Sequence, residues 1–187
     1  MYASSLTNSQ QAEAVLEFWF SDHMRSNWYS KDAAIDNEIR EKFEDLHKQA
    51  AAGDLQDWLK EPKSSLALII LLDQFPRNMY RGTPQAFGTD ELAQSYAQQA
   101  VDLCHDAKLN PKEKAFMYLP FMHSENVPLQ EKSVQLFSQP GLEGHHKYAV
   151  DHAEIVKKFG RFPHRNDQLG RECTPEETEF LKIHSGF

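Results

Sequence analysis

The sequence predicts an all-helical chain folded as a single domain over residues 1–187. Three observations predict it. Apolar residues recur at three- and four-residue spacing along most of the chain, these stretches end at proline and glycine stops, and no convincing segment alternates in the two-residue period of a strand. At 187 residues, 40% of them hydrophobic and including 12 Phe, the chain is long enough for one packed core and too short for two comfortable ones.

From Ser9, the residues Ala12, Val15, Leu16 and Trp19 share one face, which places Phe18-Trp19-Phe20 near the end of a first amphipathic helix. A second begins at Asp32, a natural N-cap, carries Ile35, Ile39, Phe43 and Leu46 on its apolar face, and stops at Gly53. The run 66–72 is continuously apolar, a pattern shared by buried helices and buried strands. Ser64 as a cap and the continuation to Phe75 favour a core helix. Segments 91–105, 112–122, 129–137 and 147–159 read as four more helices, separated by Pro111, by residues 126–128 and by the Pro140-Gly141 turn. Thr174-Pro175-Glu176-Glu177 combines a cap, a proline at the first helical position and a capping-box glutamate, so a last helix runs to Ile183. His145 and His146 fall in a solvated loop on this reading, and Cys104, after an amphipathic helix, reads as a small buried hydrophobe.

Composition limits the classes of partner. Asp and Glu total 28 against 20 Lys and Arg, a formal charge of -8 that disfavours nonspecific attachment to nucleic acid or anionic membrane. Cys104 and Cys173 are far apart and form no knuckle, so reduced thiols are expected. Residues 1–10 lack the pattern of a signal peptide and the run 66–72 is too short to span a bilayer, which makes the cytoplasm the default compartment. No Gly-rich phosphate loop, Gly-x-Ser-x-Gly elbow or His-Glu-x-x-His spacing is present, so no cofactor or metal is expected.

Three segments carry the chemistry. Phe75-Pro76-Arg77-Asn78, followed by Gly82-Thr83-Pro84, is echoed by Phe162-Pro163-His164-Arg165-Asn166, followed by Gly170 and Thr174-Pro175. In the first copy, Asp73, Arg77 and Arg81 are four apart and share a face if the helix continues through Pro76; Asp73 then orients Arg77 and leaves Arg81 free. In the second copy, Arg161, His164, Arg165, Asn166 and Arg171 supply donors suited to a carboxylate or phosphate, because a guanidinium presents two parallel N–H groups to an oxyanion. The third segment, 118–125, ends in His123-Ser124-Glu125, where His123 suits a general acid or base and Glu125 can orient it or act itself. His152 and His164 add metal-capable nitrogens without a metal spacing. The bland alternative for the charged groups is helix capping and surface ion pairs worth about 0.3 to 0.5 kcal/mol each.

Phe18-Trp19-Phe20, the stretch 66–82, the segment 118–125 and the stretch 159–171 resemble the family catalogued as domain of unknown function 924, over about residues 12–181. The resemblance implies a tetratricopeptide-like array of stacked antiparallel helix pairs and carries no assigned activity.

Three functional readings follow. In the first, Asp73, Arg77, Asn78, Arg81, Arg165, Asn166 and Arg171 bind a small anionic molecule, His123, Glu125 and His164 perform proton-transfer or hydrolytic chemistry, and Trp19, Trp28 and Tyr118 supply an apolar wall. In the second, the chain is a non-catalytic module whose arginines clamp an acidic peptide or a chain terminus. In the third, the motifs only staple helix ends.

Overall fold

The computed structural model describes residues 7–184 and 186. The part of the signal-peptide reading that rests on residues 1–6 lies outside the described residues. The elements are α1 (Asn8–Trp19), α2 (Asp22–Arg25), α3 (Ala33–Ala52), α4 (Pro62–Met79), α5 (Asp90–Asp102), α6 (Pro111–Met122), α7 (Val127–Phe137), α8 (Glu143–Phe159) and α9 (Pro175–Ile183), with short 3-10 turns between some of them. There is no strand among the described residues.

Local chemistry sets most of the boundaries. Asp32 accepts the Ala34 N–H at the start of α3, and Gly53 ends that helix at φ 86°, a left-handed conformation that costs glycine nothing. Asn110 with Glu113 and Thr174 with Glu177 close reciprocal capping boxes at the starts of α6 and α9. Two starts differ from the sequence reading by two residues or more in a way that changes a named residue's role. Glu61 and Pro62, not Ser64, begin α4, and the Ser64 hydroxyl instead donates to the Trp58 carbonyl at 2.6 Å. The helix α8 starts a turn early at Glu143, so His145 and His146 are helical, and His145 stacks on Phe137 at 5.7 Å. Cys104 is exposed in a left-handed turn at φ 57°, not buried.

The core is organised around α4, which touches α1, α3, α5 and α6. That enclosure is why 66–72 is apolar all round: a helix covered on every side has no polar face to present. Helices adjacent in the chain pack together from α3 to α8, and α4, α6 and α8 also touch in turn, making one row. A smaller cluster, Ile155, Val156 and Phe162 with Phe180 against it, seats the C-terminal part of the chain. Trp19 and Tyr118 are buried in the main core, and Trp28 is half-buried against Phe116 at 4.7 Å, donating its indole N–H to the Trp19 carbonyl. Trp19 and Tyr118 belong to the interior, while Trp28 keeps part of its surface accessible.

Pro76 lies inside α4 without ending it. Lacking an N–H, it cannot donate to the carbonyl four residues back, that of Leu72. Thr89 fills the vacancy, its hydroxyl donating to Leu72 O at 2.6 Å. The flanking carbonyls are also occupied by side chains: the His47 ring lies 2.9 Å from Leu71 O, and Arg77 donates to Asp73 O at 2.6 Å. The last two turns of α4 are thereby fixed in place, and Asp73 and Arg77 with them.

Candidate functional site

Asp73 is the centre. Its side chain is 1% exposed, and its two oxygens lie 2.8 and 3.0 Å from Nδ1 of His123, the residue that ends α6. Arg77, one turn on, approaches Asp73 at 3.3 Å and donates both terminal nitrogens to Asp90, at 2.8 and 2.9 Å. Asp90 opens α5 and also receives Arg165, from the second Phe-Pro turn, at 3.4 Å. The two Phe-Pro motifs therefore meet: Arg77 of the first and Arg165 of the second share one carboxylate.

Arg165 is held unusually. Its side chain is 8% exposed, and its guanidinium carbon lies 4.7 Å from the Phe87 ring and 4.5 Å from the Phe162 ring, a cation between two aromatic faces. Its Nε has no hydrogen-bond partner among the described residues. Burial, followed by the nearby Arg77 charge, lowers its pKa to about 10 against the pull of Asp90 and Glu125. Hydrogen-bonding capacity of this guanidinium is left unused.

The protonation states follow. Burial opposes ionisation of Asp73, but the Arg77 charge and the contacts to His123 outweigh it and hold the carboxyl well below the usual range. His123 is pushed below 6.5 by burial and by Arg77, which together exceed the opposing pull of Asp73. At neutral pH the pair is a carboxylate and a neutral imidazole. Since Asp73 can only accept, the network assigns the imidazole proton to Nδ1, leaving a lone pair on Nε2. An oriented imidazole with a basic Nε2 is the arrangement used for proton abstraction.

The other residues singled out in the sequence are placed elsewhere. Glu125 does not meet His123. It receives Arg171 at 2.6 and 2.9 Å and the Phe162 N–H at 2.8 Å, so it holds the second Phe-Pro turn against the end of α6. Arg171 also donates to Asn166, and Asn166 reaches Cys173 and Glu177, each at 3.3 Å. Glu177 in turn receives Arg161 at 2.7 and 2.8 Å, tying α9 to the turn. Arg81 is not free: it meets Asp36 at 2.7 and 2.8 Å, where Asn78 also donates at 2.9 Å, locking α4 to α3. These two networks brace the turns from behind. His164 packs on Phe162 at 5.5 Å.

Asp90, which sequence reasoning missed, and His152, which it named only as a metal-capable nitrogen, complete the cluster. Asp90 looks in sequence like an ordinary acidic residue in the first turn of a helix. His152 of α8 directs Nδ1 at the Tyr148 carbonyl at 2.7 Å and lies 6.5 Å, ring to ring, from His123. Among the described residues no three His, Cys, Asp or Glu side chains are grouped to hold a metal ion. Depressions of about 630 and 430 Å³ lie away from this cluster, one lined by Lys60, Tyr96 and Leu103, the other by Arg25, Trp28 and Lys112. Neither brings an ionised carboxylate, an imidazole and two guanidinium groups together, so chemistry rather than size locates the candidate site.

The family model described as a bacterial protein of unknown function, DUF924, matches residues 15–185. The chain belongs to this family. A solved structure, that of a protein of unknown function named ATU0120 from Agrobacterium tumefaciens, is 40% identical, covers 95% of this chain and 100% of its own, and superposes with a TM-score of 0.87. No curated protein matches the chain. In this DUF924 chain no helix among the described residues is long and apolar enough to cross a membrane.

The buried histidines predict an acid-labile fold. Burial, then His123, pushes His152 down to about 3; burial, then Arg165, pushes His164 down to about 4. The folded chain keeps both neutral where the unfolded chain, with histidine near 6.5, takes up protons. Stability is therefore fully present above pH 6.5 and falls as the pH drops towards 4. Each histidine adds a slope of at most about 1.4 kcal/mol per pH unit. Urea unfolding at pH 7.5, 6 and 5 measures it, and His152→Gln with His164→Gln should flatten the profile. A wild-type profile that is level from 7.5 to 5 contradicts the buried, neutral assignment.

Proposed function

We propose that this protein binds a small anionic molecule beside Arg77 and Arg165 and moves a proton with His123. The observation that carries the reading is the junction at Asp73 and Asp90: a neutral imidazole oriented by a buried carboxylate, next to a buried guanidinium with an unpartnered Nε. A purely structural cluster gains nothing from leaving such a donor unused, because an unsatisfied buried polar group costs about 1 to 3 kcal/mol. An oxyanion would occupy guanidinium donors. His123 Nε2 would then take a proton from the bound molecule or from a water attacking it, and Asp73 would stabilise the imidazolium formed.

The second reading, a non-catalytic module for an acidic peptide or chain terminus, is favoured by a different observation. Backbone at Gly186 is seated against His164, so closely that a β-carbon there would lie 3.0 Å from the ring's Cγ. Main chain without a side chain thus fits over the second Phe-Pro turn.

Thermal unfolding of the wild type, Arg165→Lys and His123→Gln with inorganic phosphate, acetate, benzoate, phenyl phosphate and an acidic peptide tests both readings, since a ligand that binds only the folded state raises the midpoint. A small anion should raise the wild-type midpoint by several degrees and lose that effect in Arg165→Lys, while His123→Gln still binds. For any turnover found, the rate should climb with pH through the lowered pKa of His123 and level off before neutrality. Stabilisation by the peptide alone, unaffected by His123→Gln, supports the module. No stabilisation by any of them removes both readings.

A further inference from the structure

We infer that the ligand of this site is an organic anion with a flat, apolar body, its oxyanion held at Arg77 and Arg165 and its body packed against Phe87 and Tyr148. The inference rests on the reading of the arginine and histidine cluster as a ligand site, and it names the class of molecule that site selects.

The first observation concerns Phe87. Its ring is shared by both arginines, at 4.7 Å from the guanidinium carbon of Arg165 and 5.7 Å from that of Arg77. Phe162, on the other side of Arg165, is fully buried and contacts His152 at 5.5 Å. Phe87 is only half-buried, so it is the ring of this sandwich that retains apolar surface beside the charges. Ligand pockets combine such surface with a few fixed polar groups, and an anion bound here leaves its non-ionic part next to that face.

The second observation concerns Tyr148. Exposed large apolar side chains are few among the described residues: Tyr29 at 79%, Leu103, Tyr148 at 55% and Ile183. Tyr148 precedes His152 by one helical turn, so the two share a side of α8, and His152 leads to His123. Tyr29, itself open to solvent, lies near enough to Tyr148 for the two hydroxyls to interact. Tyrosine is well suited to such a wall, with a wide apolar face and a polar tip that remains hydrated. Of the aromatic residues picked from the sequence for this task, Trp19 and Tyr118 are buried and Trp28 lines a depression elsewhere, whereas Phe87, beside both arginines, and Tyr148, one turn from His152, keep accessible surface.

The test compares anions with the same head and different bodies. Phenyl phosphate against inorganic phosphate, and benzoate against acetate, are titrated calorimetrically into the wild type, Tyr148→Ala and Phe87→Leu. The aryl member of each pair should bind the wild type at least about tenfold more tightly, in line with stacking on an aromatic wall. Tyr148→Ala, which touches neither arginine, should reduce that ratio several-fold while leaving the affinity for the bare anion within about twofold. Phe87→Leu should reduce the ratio too, and its unchanged unfolding midpoint would show that Arg165 remains seated. Equal binding of aryl and bare anions, or a ratio that both variants leave intact, overturns the inference and leaves the anion site standing. Failure of all four anions to bind the wild type overturns the anion site and the inference together.

Discussion

Asp90→Ala should destabilise the protein by about 3 to 5 kcal/mol, the range found when one partner of a buried ion pair is removed. Two guanidinium groups depend on this carboxylate: Arg77 through a bidentate contact at 2.8 and 2.9 Å, and Arg165 at 3.4 Å. Arg77 retains Asp73 after the change, but Arg165 retains only rings and more distant charges. The loss therefore falls mainly on Arg165, which cannot rehydrate from its position between Phe87 and Phe162 without opening the second Phe-Pro turn. The measurement is urea unfolding of the wild type, Asp90→Ala and Asp90→Ala with Arg165→Met. Removing the stranded cation should recover a large part of the loss, because a well-packed apolar side chain can replace a buried charge. A cost below about 1 kcal/mol would mean that Arg165 reaches water freely, as exposed ion pairs do.

Phe75→Ala should cost about 3 to 5 kcal/mol through the cavity it leaves. The Phe75 ring packs on Phe43 at 4.9 Å, Trp19 at 5.6 Å and Phe18 at 6.3 Å, which joins α1, α3 and α4 in one aromatic contact. Those rings are anchored on two other helices, α1 and α3, and cannot all collapse into the gap. Phe75→Leu, which refills part of the volume, should cost well under half as much. Equal losses from the two variants in the same urea experiment would show that the aromatic geometry, and not the volume, is what matters at this position.

The two changes separate the roles of the first Phe-Pro motif. Phe75 is an interior residue, Pro76 redirects a carbonyl to Thr89, Arg77 enters the charged cluster, and Asn78 with Arg81 locks α4 to α3 through Asp36. The second copy divides its work similarly. Phe162 is interior, Arg165 enters the charged cluster, and Asn166 joins the brace formed by Glu125, Arg171 and Glu177. The chemistry that the two copies share is thus one arginine for the cluster and neighbours that fix its approach.

Legibility of these features in the sequence tracks the distance over which each is decided. Asp32, Gly53 and the 174–177 capping box were readable because a helix end is settled within about four residues. The helical nature of 66–72 was readable from the continuation of its pattern to Phe75, although Ser64 is not its cap, and its enclosure by four other helices accounts for the missing polar face. Asp73 was recognised as a partner for Arg77, one turn away, but its contact with His123 spans 50 positions and leaves no local trace. Glu125 was assigned to His123 because they are two residues apart, yet its carboxylate turns to Arg171, 46 positions on. Asp90 and Phe87 stayed hidden behind ordinary explanations, an acidic first turn and one more apolar residue near a turn.

By itself, then, the sequence determined an all-helical chain, where most of its helices begin and end, and which residue types had charge or aromatic surface to offer. These are consequences of periodicity, capping and composition, which act over a few residues. Only the tertiary structure decided which arginines meet, which carboxylate each one receives and which histidine is held neutral. Electrostatic partnership depends on separation in space and on the water left between groups, and the packing of α4, α5 and α6 with the second Phe-Pro turn sets both.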